Sequence, residues 1–108
     1  MPTPKRAHKR RSEQELAPVR QRVAGLFDEA EVLFRKGEKA LSRRRVRAAR
    51  RAAMKVQLHI PEHADRYCRK CDSYLIIGEN ATVRVKDGIR IRVCKECGAV
   101  RRRVLRRA

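Results

Sequence analysis

Cys68-Arg69-Lys70-Cys71-Asp72 and Cys94-Lys95-Glu96-Cys97-Gly98 are the two stretches that decide how this chain folds. They hold all four cysteines of its 108 residues, and 22 residues lie between the pairs. Two residues between thiols let both sulfurs of one tight turn face a common point. Two such turns brought together give the tetrahedral thiolate set that Zn²⁺ prefers. Gly98 lets the chain leave the second turn with φ > 0 and aim backbone N–H groups at sulfur. Asp72 holds the same place after the first turn and tolerates a left-handed conformation better than most residues. Two disulfides or a redox dithiol are the alternatives. A redox Cys-x-x-Cys usually occurs once, at a helix start in a βαβ pattern, which this sequence lacks. One structural Zn²⁺ on Cys68, Cys71, Cys94 and Cys97 is therefore expected, with no ligand position left for an activated water.

Outward from the thiols, the 22 residues between them read as a hairpin. Ala81-Thr82-Val83-Arg84-Val85 and Ile89-Arg90-Ile91-Arg92-Val93 alternate with period two. A two-residue Asp87-Gly88 turn would mix their faces. A three-residue Lys86-Asp87-Gly88 loop would pair Val85 with Ile89 and Val83 with Ile91, leaving an all-apolar face. Arg84 would then oppose Arg90, a like-charge pair that asks for an anion. A last strand over Ala99–Leu105 and the Tyr74–Ile77 segment complete a three-stranded antiparallel zinc ribbon over residues 66–105.

Upstream, Val19, Val23, Leu26, Phe27, Ala30, Leu33 and Phe34 recur at helical steps. Ser12 and Glu15 could form a capping box, but Pro18 would then fall inside the helix. The expected start is Ala17 or Pro18, with Gly37 as C-cap. A second helix is expected from about Glu38 to Gln57, with Leu41, Ala48, Ala49, Ala52, Ala53 and Val56 on its apolar side. The short break predicts an antiparallel helical hairpin over residues 17–58. Residues 1–16, with Lys5, Arg6, His8, Lys9, Arg10 and Arg11, read as a basic flexible arm. Residues 59–65 read as a linker. His59 and His63 are spaced like helical metal ligands, but Pro61 between them argues against a helix. The expected class is α+β, a helical hairpin followed by a zinc ribbon.

Charge bounds the partner. Thirty Lys and Arg against 12 acids give a net charge of +18 and a pI near 11.3. Arg outnumbers Lys 22 to 8, which favours planar forks that grip phosphate oxygens. A polyanionic partner is the natural counterweight. Arg43, Arg44, Arg47, Arg50, Arg51 and Lys55 on the second helix are candidate contacts to RNA or DNA phosphates. So are Arg84, Arg90 and Arg92 on the hairpin and Arg101, Arg102 and Arg103 on the last strand. Arg106 and Arg107 extend that block. The first helix is less charged, and its Leu26, Phe27, Leu33 and Phe34 are candidates for a protein contact. Packing of both Phe on the second helix is the alternative. No apolar run approaches the roughly 20 residues of a membrane span, and no signal-like stretch follows the basic start. A cytoplasmic location is expected, where zinc thiolates are favoured over disulfides. Neither paired carboxylates nor an activated nucleophile suggests catalysis by the chain itself.

Ile60-Pro61, Arg66-Tyr67-Cys68-Arg69-Lys70-Cys71, Asn80-Ala81-Thr82-Val83-Arg84 and Cys94-Lys95-Glu96-Cys97-Gly98, with the preceding helices, resemble the small zinc-ribbon subunit family of archaeal ribonuclease P, related to a eukaryotic nuclear subunit. The resemblance covers about residues 18–103. It implies an accessory protein to a catalytic RNA that removes the 5′ leader of precursor tRNA. It also implies pairing with an Sm-like barrel subunit through the N-terminal helices. A ribosomal or transcription-associated zinc ribbon is the competing reading. The scarcity of Asn and Gln for reading base edges favours structured RNA.

Overall fold

The structure, a computed structural model, describes residues 11–105. The expected arm residues Lys5 to Arg10, and Arg106 and Arg107, lie outside the described residues. Two helices come first, α1 (Glu13–Arg35) and α2 (Lys39–Lys55). A 3₁₀ helix, Pro61–Arg66, follows. Three strands close the chain: β1 (Ala81–Lys86), β2 (Ile89–Cys94) and β3 (Val100–Val104). They form one antiparallel sheet in the order β1-β2-β3. This is the expected α+β architecture.

α1 starts four residues before Ala17, so the expected start is corrected. Ser12 Oγ accepts from Glu15 N–H at 3.3 Å, and the Glu15 carboxylate accepts from Ser12 N–H at 3.3 Å. Both bonds of the capping box form. The box and the Arg20–Glu13 ion pair at 2.7 Å hold the first turns, although Pro18 cannot donate to the Gln14 carbonyl. α1 ends in a Schellman motif: Gly37 (φ +84°) donates to Phe34 O at 3.0 Å, and Glu38 donates to Leu33 O at 2.8 Å. α2 ends the same way around Gln57 (φ +55°), whose N–H reaches Met54 O at 3.1 Å while Leu58 N–H reaches Ala53 O at 2.8 Å.

The core lies between the helices. Val23, Phe27 and Ala30 of α1 meet Val46, Ala49 and Ala53 of α2, with Leu58, Tyr67 and Tyr74 closing the cluster. Small α2 side chains let the helices approach closely, as expected. Leu41 is instead exposed, and Ser42 and Val46 are buried in its stead. Ser42 can be buried because its hydroxyl donates to Ala30 O at 2.7 Å.

The expected linker is shorter, because Pro61 is the first residue of the 3₁₀ helix, where a missing N–H costs nothing. The hairpin register is also corrected. Lys86 pairs with Ile89, Val85 with Arg90, Arg84 with Ile91 and Ala81 with Cys94. Asp87 (φ +52°) and Gly88 (φ +73°) make a two-residue turn. Left-handed conformations at both positions match the right-handed strand twist, and this local geometry outweighs segregation of apolar faces. Arg84 therefore does not oppose Arg90. The like-charge pairs are Arg90 with Arg103 and Arg92 with Arg101, across β2 and β3. Tyr74–Ile77 joins only through single bridges, Tyr67 to Tyr74 and Ile77 to Ala81. Among the described residues no helix is long and apolar enough to cross a membrane.

Candidate metal centre and nucleic-acid interface

The two cysteine turns repeat one backbone plan. Cys68 O accepts from Asp72 N–H at 2.9 Å, and Cys94 O accepts from Gly98 N–H at 2.7 Å. Cys68 N–H donates to Ser73 O at 3.0 Å, and Cys94 N–H donates to Ala99 O at 2.9 Å. Asp72 (φ +61°) and Gly98 (φ +77°) turn the chain out of each loop, as the spacing predicted. The four sulfurs lie within 4.8 Å of one another. Cys68 Sγ is 3.6 Å from Cys97 Sγ, and Cys71 Sγ is 3.8 Å from Cys94 Sγ. A tetrahedron with metal–sulfur bonds of about 2.3 Å has an edge of about 3.8 Å, so the cage fits a thiolate-bound metal ion. All four cysteines are free, with no disulfide among them. Burial pushes the Cys94 thiol up to about 12 and the Cys68 thiol upward, against backbone N–H groups of each turn that favour the thiolate. A metal ion held here would displace the protons of Cys68 and Cys94.

Neither histidine joins the cage. His63 stacks on Phe27, centroids 4.7 Å apart. Burial foremost, then the Arg66 guanidinium, holds its pKa below 6.5, against the opposing pull of Glu62 and Asp28.

The candidate RNA-contacting cations divide into two groups, with Arg101 between them. Arg44, Arg51, Lys55, Arg84, Arg102 and Arg103 are exposed and form no ion pair among the described residues. Arg43, Arg47, Arg50, Arg90 and Arg92 are tied inward. Arg47 reaches the Asp72 carboxylate at 3.0 Å, and Arg50 forms a short ion pair with the same carboxylate. Arg50 also lies over the Tyr67 ring at 5.3 Å. Arg43 donates to Ser73 Oγ at 3.1 Å, and Lys39 reaches Glu96 at 3.0 Å. Arg92 is 5% exposed. It donates to Ala64 O at 2.8 Å and Tyr67 O at 3.3 Å, and shares Asp65 with Arg90. These bonds occupy the Arg92 guanidinium inside the protein, where a surface contact had been expected. Arg101 is half-buried, and Arg103 is exposed at the strand end.

The candidate protein contacts divide as well. Phe27 is 0% exposed and stacks on Tyr67, so it serves the core. Leu26, Leu33 and Phe34 are half-buried, and Leu26 and Phe34 pack on that core's edge. Leu33 and the exposed Val32 border an open hollow with Asp28, Glu29 and Arg45.

Sequence reasoning missed Asp65, Asp72, Ser73 and Glu96 as the acceptors that hold these cations. Their signal was position: Asp72 and Ser73 follow the first cysteine turn, Glu96 lies inside the second, and Asp65 precedes Arg66-Tyr67. Asn80 was noticed only in a strand-start motif. It is buried and staples the Tyr74–Asn80 loop, donating to Tyr74 O and accepting from Ile76 N–H, both at 2.7 Å.

A helical hairpin packed on a ribbon with four clustered cysteines, and arginines over both, makes a small basic module with a site that could hold a metal ion. Residues 22–98 match the model of the RNAse P Rpr2/Rpp21/SNM1 subunit domain, and the chain belongs to this family. It is 38% identical over 86 residues to ribonuclease P protein component 4 of Methanocaldococcus jannaschii, covering 76% of this chain and 67% of that one. To the protein of the same name from Saccharolobus islandicus strain M.16.27 it is 34% identical over 90 residues, covering 82% and 86%. Among solved structures it is similar to a chain of an archaeal ribonuclease P with mature tRNA, studied by cryo-EM. The TM-score is 0.77 at 31% identity, covering 93% of this chain and 85% of that one. A structure described as Pfu Rpp21 matches with a TM-score of 0.55 at 33% identity, covering 77% and 94%.

Proposed function

We propose that the chain is an RNA-binding protein subunit of ribonuclease P that supports RNA-catalysed removal of the 5′ leader from precursor tRNA. The observation that carries this reading is the match along 93% of the chain to a component of an archaeal ribonuclease P bound to tRNA. Its partners are then the ribonuclease P RNA and tRNA. The exposed cations Arg44, Arg51, Lys55, Arg84 and Arg102, joined by Arg101 and Arg103, contact phosphate oxygens. Arg43, Arg47, Arg50 and Arg92 chiefly brace the scaffold that presents them. The metal is Zn²⁺, held by Cys68, Cys71, Cys94 and Cys97. Four soft thiolates at tetrahedral spacing support that identity. Bound there, the ion supplies folding energy. Leu26, Leu33 and Phe34, with Val32 beside them, dock the Sm-like barrel subunit, and the apolar hollow on α1 supports that placement. The work is done in the cytoplasm.

Precursor tRNA cleavage, assayed with the RNA subunit present and absent, tests this function. Stimulation that requires the RNA is expected. Cleavage by the protein alone, or no stimulation in the reconstituted particle, would refute it. With six to ten phosphate contacts, RNA affinity should fall about 10³–10⁵-fold between about 50 and 200 mM salt.

A further inference from the structure

Four guanidiniums share one face of the sheet. Arg90 opposes Arg103, and Arg92 opposes Arg101. One carboxylate, Asp65, serves Arg90 and Arg92. Carbonyl oxygens of Ala64 and Tyr67 complete the partners of Arg92. Arg101 is different: its Nη1 is buried and has no acceptor among the described residues. A buried guanidinium N–H without an acceptor is an expensive arrangement unless an anion completes it. The same side chain borders a cleft of about 260 Å³ between the first cysteine turn and the start of β3. Arg69, Lys70, Arg92 and Arg101 line it beside Cys68 and Cys94, and no carboxylate does.

We infer that this cleft is a phosphate site, in which Arg101, Arg69 and Lys70 take one phosphodiester of the RNA backbone. The inference deepens the RNA-binding reading above and rests on it for the identity of the anion. Charge arithmetic permits it. Four thiolates around one divalent ion carry a net charge of −2, against four lining cations, leaving +2 for a phosphodiester's single negative charge. Arg69 and Arg101 each present a planar fork that matches a pair of phosphate oxygens. Arg92 lines the same cleft but is held by its carbonyl partners. A cage and an anion site that share one wall explain why cations follow Cys68 directly, at Arg69 and Lys70.

The test uses the full zinc-loaded chain and inorganic phosphate, against chloride at matched ionic strength. Arginine Nε–Hε NMR signals of Arg101 and Arg69 should shift saturably. Arg101→Gln should weaken phosphate binding at least about tenfold, and Arg101→Lys should only partly restore it, since an ammonium lacks the fork. In a second arm, Arg101→Gln should lower the log–log salt slope for ribonuclease P RNA by about 0.9, one phosphate contact. No saturable phosphate shift would overturn the site and leave the cations serving the thiolate cage alone. A phosphate shift with an unchanged RNA slope would overturn the phosphodiester in favour of a free anion. Failure of the unaltered chain to bind RNA would overturn the ribonuclease P reading, and the phosphate arm would still decide the cleft. Retained metal content confirms that a variant is folded. Should Arg101→Gln fail that check, Arg69→Gln on the exposed turn takes its place.

Discussion

Replacing Asp72 with Asn should loosen the joint between ribbon and helices while sparing the turn itself. Asn tolerates φ +61° as Asp does, so the backbone strain stays constant. What changes is the carboxylate, whose side chain is 15% exposed and receives both Arg47 and Arg50. A hydrogen bond to a charged group contributes about 1.5–3 kcal/mol when shielded. The Arg50 side chain is 30% exposed and the Arg47 side chain 51%. The second pair therefore belongs at the surface end of the scale, under about 1 kcal/mol. Asn keeps one acceptor oxygen, so the expected loss is about 2 kcal/mol, measured by urea denaturation of the zinc-loaded chain in phosphate-free buffer. A double-mutant cycle with Arg50→Met should give a coupling of about 1–2 kcal/mol. A coupling under about 0.3 kcal/mol, the level of independent sites, would show that the pair is ornamental and refute the argument.

Phe27→Ala should destabilise the isolated chain by about 3–5 kcal/mol, the cost of emptying a core aromatic position. A loss under about 1 kcal/mol in the same denaturation assay would mean that Phe27 is available to a partner. His63 gives a pH signature. Its folded pKa is lowered by burial and Arg66, so below pH 6.5 the unfolded chain takes up the proton more readily. Stability is therefore full above pH 6.5 and declines as the pH falls through it. His63→Phe preserves the stack and should flatten the profile there, whereas an unaltered profile would count against the assignment. Gln57→Gly should raise stability by up to about 1 kcal/mol, because the residue after α2 is left-handed and only glycine is unstrained there. Chelation should abolish ribbon structure, and near-UV circular dichroism that survives metal removal would contradict the cage.

Much of this was legible because the decisive signals were local. The paired thiols, their left-handed exits at Asp72 and Gly98, and the Gly37 cap each depend on a few neighbouring residues. The α1 start was missed because Pro18 was weighed against the capping box as a veto. In the fold it removes one donor near the helix start, and Ser12 and Glu15 outweigh that loss. The hairpin register was missed because alternation was expected to segregate faces. A thin ribbon can bury Arg92 because carbonyls of Ala64, in the 3₁₀ helix, and of Tyr67 just after it accept from it, 28 and 25 residues away in sequence. Ser42, Asp72 and Glu96 were illegible for a related reason. A polar side chain takes its meaning from its partner, and the partner is set by tertiary packing.

Asp72 sits at the exit of the first cysteine turn and Glu96 within the second, and both reach back to α2, through Arg47 and Arg50 and through Lys39 and Arg43. The thiolate cage is thus a buckle as well as a staple, with one strap from each half fastened to the same rod. Unfastening either half slackens the whole molecule. Helices and ribbon should accordingly melt as one cooperative unit, in spite of their separate architectures.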